Sequence, residues 1–157
     1  MKILKYTQAM QLLNDPQFTQ AQILSLTEPR LDSGLLQNWV NRGSLELNFE
    51  QQGRTRYYTG ASVIAICAAQ ALRLVDVPLE VVNSIYNILS SRAVVLLSAG
   101  EQARSQKAAL AIIPDKDGYS IQEVSKGKCP RSADAYVILE SDEIIIRVLK
   151  GLLSMTD

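Results

Sequence analysis

Histidine is missing from all 157 residues of this chain. Its absence removes the commonest general base and a common metal ligand together. Cysteine is nearly missing. Cys67 and Cys129 are far apart, too few for a disulfide framework and, without histidine, too few for a zinc site. No apolar run approaches the roughly 18 residues of a membrane span. The opening Met1-Lys-Ile-Leu-Lys-Tyr6 lacks the long apolar stretch and small-residue cleavage site of a signal peptide. A cytoplasmic protein without a membrane partner is therefore expected. Glycine-rich phosphate loops and nucleophile elbows are lacking as well. Asp115-Lys-Asp-Gly118 echoes the start of a calcium loop, but no acidic residue follows where such a loop needs one, so a plain turn is the better reading. Neither a cofactor nor enzymatic chemistry is expected.

A surplus of charge is lacking too, since sixteen Lys and Arg face sixteen Asp and Glu. From Phe18 to Arg92 the balance is again even. Arg30, Arg42, Arg54, Arg56, Arg73 and Arg92 stand against Glu28, Asp32, Glu46, Glu50, Asp76 and Glu80. Phosphate contacts supply most non-specific affinity for nucleic acid, and a basic footprint is its usual sign. Any such role here must rest on local placement, and Arg54 and Arg56 are the pair placed together. Outside this stretch the basic residues gather only in Lys126-Gly-Lys-Cys-Pro-Arg131, which reads as a solvated loop.

What is present is a core. At 47% hydrophobic the chain is not disordered, and its length suits one small domain with a subdomain. Tyr6, Met10 and Leu13 share a face of a short helix that Pro16 stops. Thr19 is a good N-cap for a helix carrying Ile23 and Leu26, which breaks at Thr27-Glu-Pro29. Asp32 caps a second helix, with Leu35, Leu36, Trp39 and Val40 at helical spacing, Arg42 in the last turn and Gly43 at the left-handed C-cap. Trp39 reads as the anchor of that helix in the core. Ser33, Gly34, Gln37, Asn38 and Asn41 are left for its outer face. Leu45 to Tyr58 reads as two strands around Glu50-Gln-Gln-Gly53. Ala61 to Leu74 is apolar all round and expected to be buried, with Cys67 a small core residue. A further helix opens at Asp76-Val-Pro78 and carries Leu79, Val82, Ile85 and Leu89 as a seam that suits either core or interface. Ala93 to Leu97 fits either its continuation or a strand.

Past a linker at 98–105, Ala108–Ile113 and Tyr119–Val124 flank the turn residues Pro114 to Gly118. Ala135–Leu139 and Ile144–Leu149, rich in Val and Ile, flank Glu140-Ser-Asp-Glu143 and read as a second hairpin.

Two short helices, a tight turn and a hairpin suggest a helix-turn-helix. The ordered set Phe18-Thr19, Leu36, Trp39, Arg42-Gly43, Leu45, Arg54, Arg56, Tyr58, Val63, Leu72-Arg73 and Leu79-Glu80 resembles the DNA-binding domain of the MerR family, over roughly residues 18 to 90. The chain departs from that pattern around Gln37, where the family has a basic residue, and in a longer turn before the second helix. The family's long dimerising coiled coil is also missing. The resemblance implies a winged helix-turn-helix at 1–92; with the two hairpins expected beyond it the fold is α+β, with a small antiparallel β-rich subdomain at 93–157 for dimerisation or partner binding.

It further implies sequence-specific binding of double-stranded DNA in transcription control, with the transcription machinery as a candidate partner. Residues 32–42 would enter the major groove and the wing at 46–58 would lie on flanking phosphates. Ser33, Gly34, Gln37, Asn38, Asn41 and Arg42 are then the candidates on the helix, and Arg54, Arg56, Tyr57 and Tyr58 those on the wing. A homodimer is expected, because so few arginines need doubling. An excisionase-like architectural protein, a protein-binding adaptor that keeps the winged fold and a small-molecule sensor using the C-terminal sheet are the alternatives, and the zero net charge favours the adaptor.

Overall fold

A computed structural model describes residues 1–99, 107–131 and 133–157, and it is built around one helix. The first six elements are α1 (Tyr6–Asn14), β1 (Phe18–Thr19), α2 (Gln20–Leu26), α3 (Ser33–Asn41), β2 (Phe49–Gln52) and β3 (Thr55–Tyr58). They are followed by α4 (Gly60–Arg73), α5 (Leu79–Ser98), β4 (Ala108–Asp115), β5 (Gly118–Ser125), β6 (Val137–Leu139) and α6 (Ser141–Thr156). The fold is α+β, with two small antiparallel sheets ordered β1-β3-β2 and β5-β4-β6.

Helix α4 is central because its sequence leaves it no polar face. It starts where the Thr59 side chain accepts from Ser62 N–H, and twelve of its fourteen residues are buried, Cys67 among them. Burial pushes the Cys67 thiol up to about 12, so it stays protonated and inert. Helices α1, α5 and α6 pack on α4. Gly60 is required at the α1 crossing, since a Cβ there would lie 2.4 Å from the Leu12 carbonyl oxygen. The first helix is therefore a packed one, with Ala9, Leu12 and Leu13 buried.

The sequence expectation fails most clearly at the C-terminus. Ile144–Leu149 is not a strand but part of α6, and Glu140-Ser-Asp-Glu143 is not a turn but the start of that helix. Ile145, Val148, Leu149 and Leu152 recur at helical period and are fully buried. β-Branched residues tolerate a helix when one face can be buried, and here tertiary burial overrides propensity. Of Ala135–Leu139 only Val137–Leu139 forms a strand, and it pairs with β4. The first expected hairpin is present as β4–β5, joined at Lys116-Asp117, where the Asp115 side chain accepts from Asp117 N–H at 2.9 Å. Ala93–Leu97 continues α5. Of the expected linker, residues 100–105 lie outside the described part.

The boundary expected between 92 and 93 falls inside α5, and one apolar cluster runs across it from Ala9 to Leu152. Asp142, with no exposed surface, binds the two halves. It accepts from Arg92 Nε at 2.9 Å and Nη2 at 2.7 Å, and from Ala108 N–H at 2.9 Å. Helix α5, at 20 residues, is long and apolar enough to cross a membrane by length and composition alone, a test that the core helix of a globular fold also passes. Here Val81, Val82, Ile85, Leu89, Ala93, Leu96 and Leu97 are buried within the protein, so the seam serves as core.

Candidate functional site

Helices α2 and α3 stand at one end of the molecule, and both are fixed by their own caps. Thr19 and Gln22 form a reciprocal capping box at α2. Asp32 accepts from Leu35 N–H at 3.1 Å at α3. Helix α3 ends with Gly43 at φ 66°, Gly43 N–H bonded to the Val40 carbonyl and Ser44 N–H to that of Trp39. This pair of bonds is the Schellman arrangement that a glycine at this position permits.

The turn between the helices is held from behind. Thr27 Oγ1 donates to Leu24 O and accepts from Leu31 N–H. Gln70 of α4 donates to Pro29 O at 2.9 Å, and Arg147 of α6 donates to Leu26 O at 2.8 Å. The segment after α3 is tied to α5. Asn83 accepts from Glu46 N–H and donates to Ser44 O, and Tyr86 Oη accepts from the Asn48 side chain. Core packing therefore sets how α3 and the β2–β3 hairpin face each other.

The face of α3 is divided as its sequence implies. Leu36 and Trp39 are buried, so Trp39 is the core anchor. Ser33, Gly34, Gln37, Asn38 and Asn41 are all exposed. Between this face and the hairpin lies a groove of about 420 Å³. Gln37 and Asn41 line it from α3, Arg54 and Arg56 from the hairpin, together with Gln51, Thr55 and the start of α2 at Thr19, Gln20 and Ala21. No carboxylate is among the lining residues. The positive charge is thus local, in a chain whose total is zero.

Two contacts position Arg56. Its Nη2 donates to Asn41 Oδ1 at 2.7 Å, and its guanidinium carbon sits 5.3 Å from the centroid of the Phe49 ring. Phe49 in turn tilts against Tyr58, with centroids 5.4 Å apart. Arg54 follows Gly53, whose φ of 62° makes the turn, and is exposed at its tip. Gln51 donates to Gly53 O at 3.1 Å.

The remaining candidates from the sequence are not in the groove. Ser33 sits apart in a shallow depression with Arg30 and Asp32. Gly34, Asn38 and Arg42 are exposed on α3 beyond the groove's edge. Tyr57, half-buried, occupies the central strand opposite Thr19 and Glu50. Tyr58 must be withdrawn as a surface contact, because it has no exposed surface and packs with Phe18 in the core. Burial pushes its phenol pKa up, with Arg56 pulling the other way, and its hydroxyl has no hydrogen-bond partner among the described residues. Sequence reasoning missed Gln20, Gln51 and Thr55. The signal that could have found the two glutamines is the recurrence of amides on three successive elements, α2, α3 and β2, whereas nothing local marks Thr55.

Compared with models of known families and with curated protein sequences, the chain matches none.

Proposed function

We propose that the protein binds double-stranded DNA sequence-specifically and regulates transcription, using residues 18–58 as a winged helix-turn-helix of the kind seen in MerR proteins. The observation that supports this is the convergence of Gln37, Asn41, Arg54 and Arg56 on one groove without a carboxylate. An α-helix fits the major groove, and amide and guanidinium groups are the side chains that read base edges there. Helix α3 supplies the major-groove face, and Arg54 at the hairpin tip reaches flanking phosphate.

Two copies double the few arginines, and a homodimer is part of the proposal. The Val/Ile-rich stretch to which the sequence pointed is taken up by the core of the monomer. The outer face of α5, with Ile88 and Val95 each 41% exposed, is an apolar surface open to a second copy. The same exposed pair also favours the adaptor reading, in which this face rather than the groove meets a partner.

The test is fluorescence anisotropy of a labelled duplex drawn from a mixed-sequence pool, titrated at low and moderate salt. Binding that weakens steeply as salt rises is expected. No binding at about 50 mM salt, where phosphate contacts are strongest, refutes the proposal and leaves the adaptor.

A further inference from the structure

An asparagine on a recognition helix ordinarily reads adenine. Its oxygen accepts from the adenine N6 amino group while its nitrogen donates to N7. That pairing needs both ends of the carboxamide. Asn41 already shares one end, since one lone pair of its Oδ1 accepts from Arg56 Nη2 at 2.7 Å and the other lies beside a cation. A guanidinium carries donors only, so the oxygen must be the end that faces it. The Asn41 NH₂ group remains as a donor on a residue that lines the groove. Arg56 offers only N–H, and Phe49 holds its guanidinium in place from below. The shared edge of the two side chains is therefore rich in donors, and its one acceptor is already engaged by the guanidinium.

We propose that Asn41 and Arg56 act as one donor-rich unit that selects guanine over adenine at the base pair it meets. The inference rests on the DNA-binding reading of the groove and deepens it. Guanine shows two acceptors in the major groove, N7 and O6, where adenine shows one acceptor and one donor. The adenine amino group would have to share Asn41 Oδ1 with the guanidinium, whose own N–H groups repel it. A phosphate oxygen is also an acceptor, but two features favour the base. Asn41 lies one helical turn beyond Gln37 on the exposed face of α3, and both line the groove. Arg56 is held on both sides, whereas Arg54, exposed at the tip, is the residue placed for a backbone contact.

The pair also predicts what releasing it does. Without Arg56 the Asn41 oxygen is free, and the side chain regains the adenine pattern. With Asp in place of Asn41, the tie to Arg56 survives as an ion pair while the NH₂ donor disappears.

The experiment selects a randomised duplex library on the intact protein and on the Arg56→Ala and Asn41→Asp variants. A thermal melt confirms that each variant is folded. For the wild type, one position should favour guanine over adenine by about tenfold, within the range of a good base contact. In Arg56→Ala that position should turn toward adenine while the rest of the motif stays, and in Asn41→Asp its guanine preference should vanish. Adenine dominating in the wild type, or a motif identical in all three proteins, overturns the proposal. A uniform loss of affinity in Arg56→Ala with the motif intact places the pair on phosphate and overturns it too. Failure of the wild type to retain any duplex at low salt is distinct, because it removes the DNA-binding reading itself.

Discussion

Replacing Asp142 by Ala should be among the most damaging single changes in the protein. The carboxylate has no exposed surface, and it takes two hydrogen bonds from Arg92 and one from Ala108 N–H. Its removal leaves a guanidinium and a backbone donor without that acceptor at the junction of α5, β4 and α6. Breaking a buried pair by removing one partner costs about 3–5 kcal/mol. The Arg92 side chain is 23% exposed and can turn partly to water, which argues for the lower end. The orphaned Ala108 N–H adds about 1 kcal/mol, for a total of about 3–4 kcal/mol. Against a total stability of about 5–15 kcal/mol this is a large fraction. In a chain of this size each kcal/mol moves Tm by about 2–4 °C, so a fall of about 10 °C is expected. Thermal and urea melts followed by circular dichroism measure it. The double variant Arg92→Leu/Asp142→Leu should recover most of the loss, because the charge left behind and not the missing attraction does the damage. A fall of less than about 2 °C in Asp142→Ala, under 1 kcal/mol, refutes the reasoning and means that solvent reaches the pair.

Other expected outcomes follow from the same geometry. Arg54→Ala should weaken DNA binding equally on all sequences and reduce the logarithmic salt slope by about 1, read from anisotropy at several salt concentrations. Trp39→Ala should cost about 3–5 kcal/mol and lose binding through unfolding, so an unchanged melt with lost binding would move Trp39 to the DNA side. Truncation after Arg92 should not give a folded domain, because it cuts α5 and removes Leu96, Leu97 and the buried face of α6; a dispersed NMR spectrum of 1–92 would contradict this.

Glu143, bonded by Lys107 and Lys126, is held at about 2. Its unfolded value is about 4.3, so its contribution is complete above that pH and is lost as pH falls from there through about 2. All three side chains are well exposed, so the effect is small. Acid titration of Glu143→Gln against the parent should differ only across that window.

The N-terminal half was legible because its signals are local. Capping residues, Gly43 at a left-handed position and the Gly53 turn fix α2, α3 and the hairpin through bonds within a few residues. The all-apolar run of α4 announced its burial in the same way. Gln37, Asn41, Arg54 and Arg56 were candidates from residue type and from the resemblance. That they share a groove depends on Asn83 and Tyr86, which tie the segment after α3 to α5 some 37 to 39 positions away. Tyr58 was misplaced because a motif position does not show which way a strand side chain points, and pairing with β1 and β2 turned it inward. At Ile144–Leu149 local propensity favoured a strand, and burial against α4 and α5 made a helix. That helix sends Arg147 to Leu26, 121 residues earlier, and sets Gly151 against the same leucine, where a Cβ would come within 2.3 Å. The sequence by itself determined the short-range elements and the residue types of the site. The tertiary structure decided which of those residues meet, because burial and long-range hydrogen bonds act between segments that no local pattern connects.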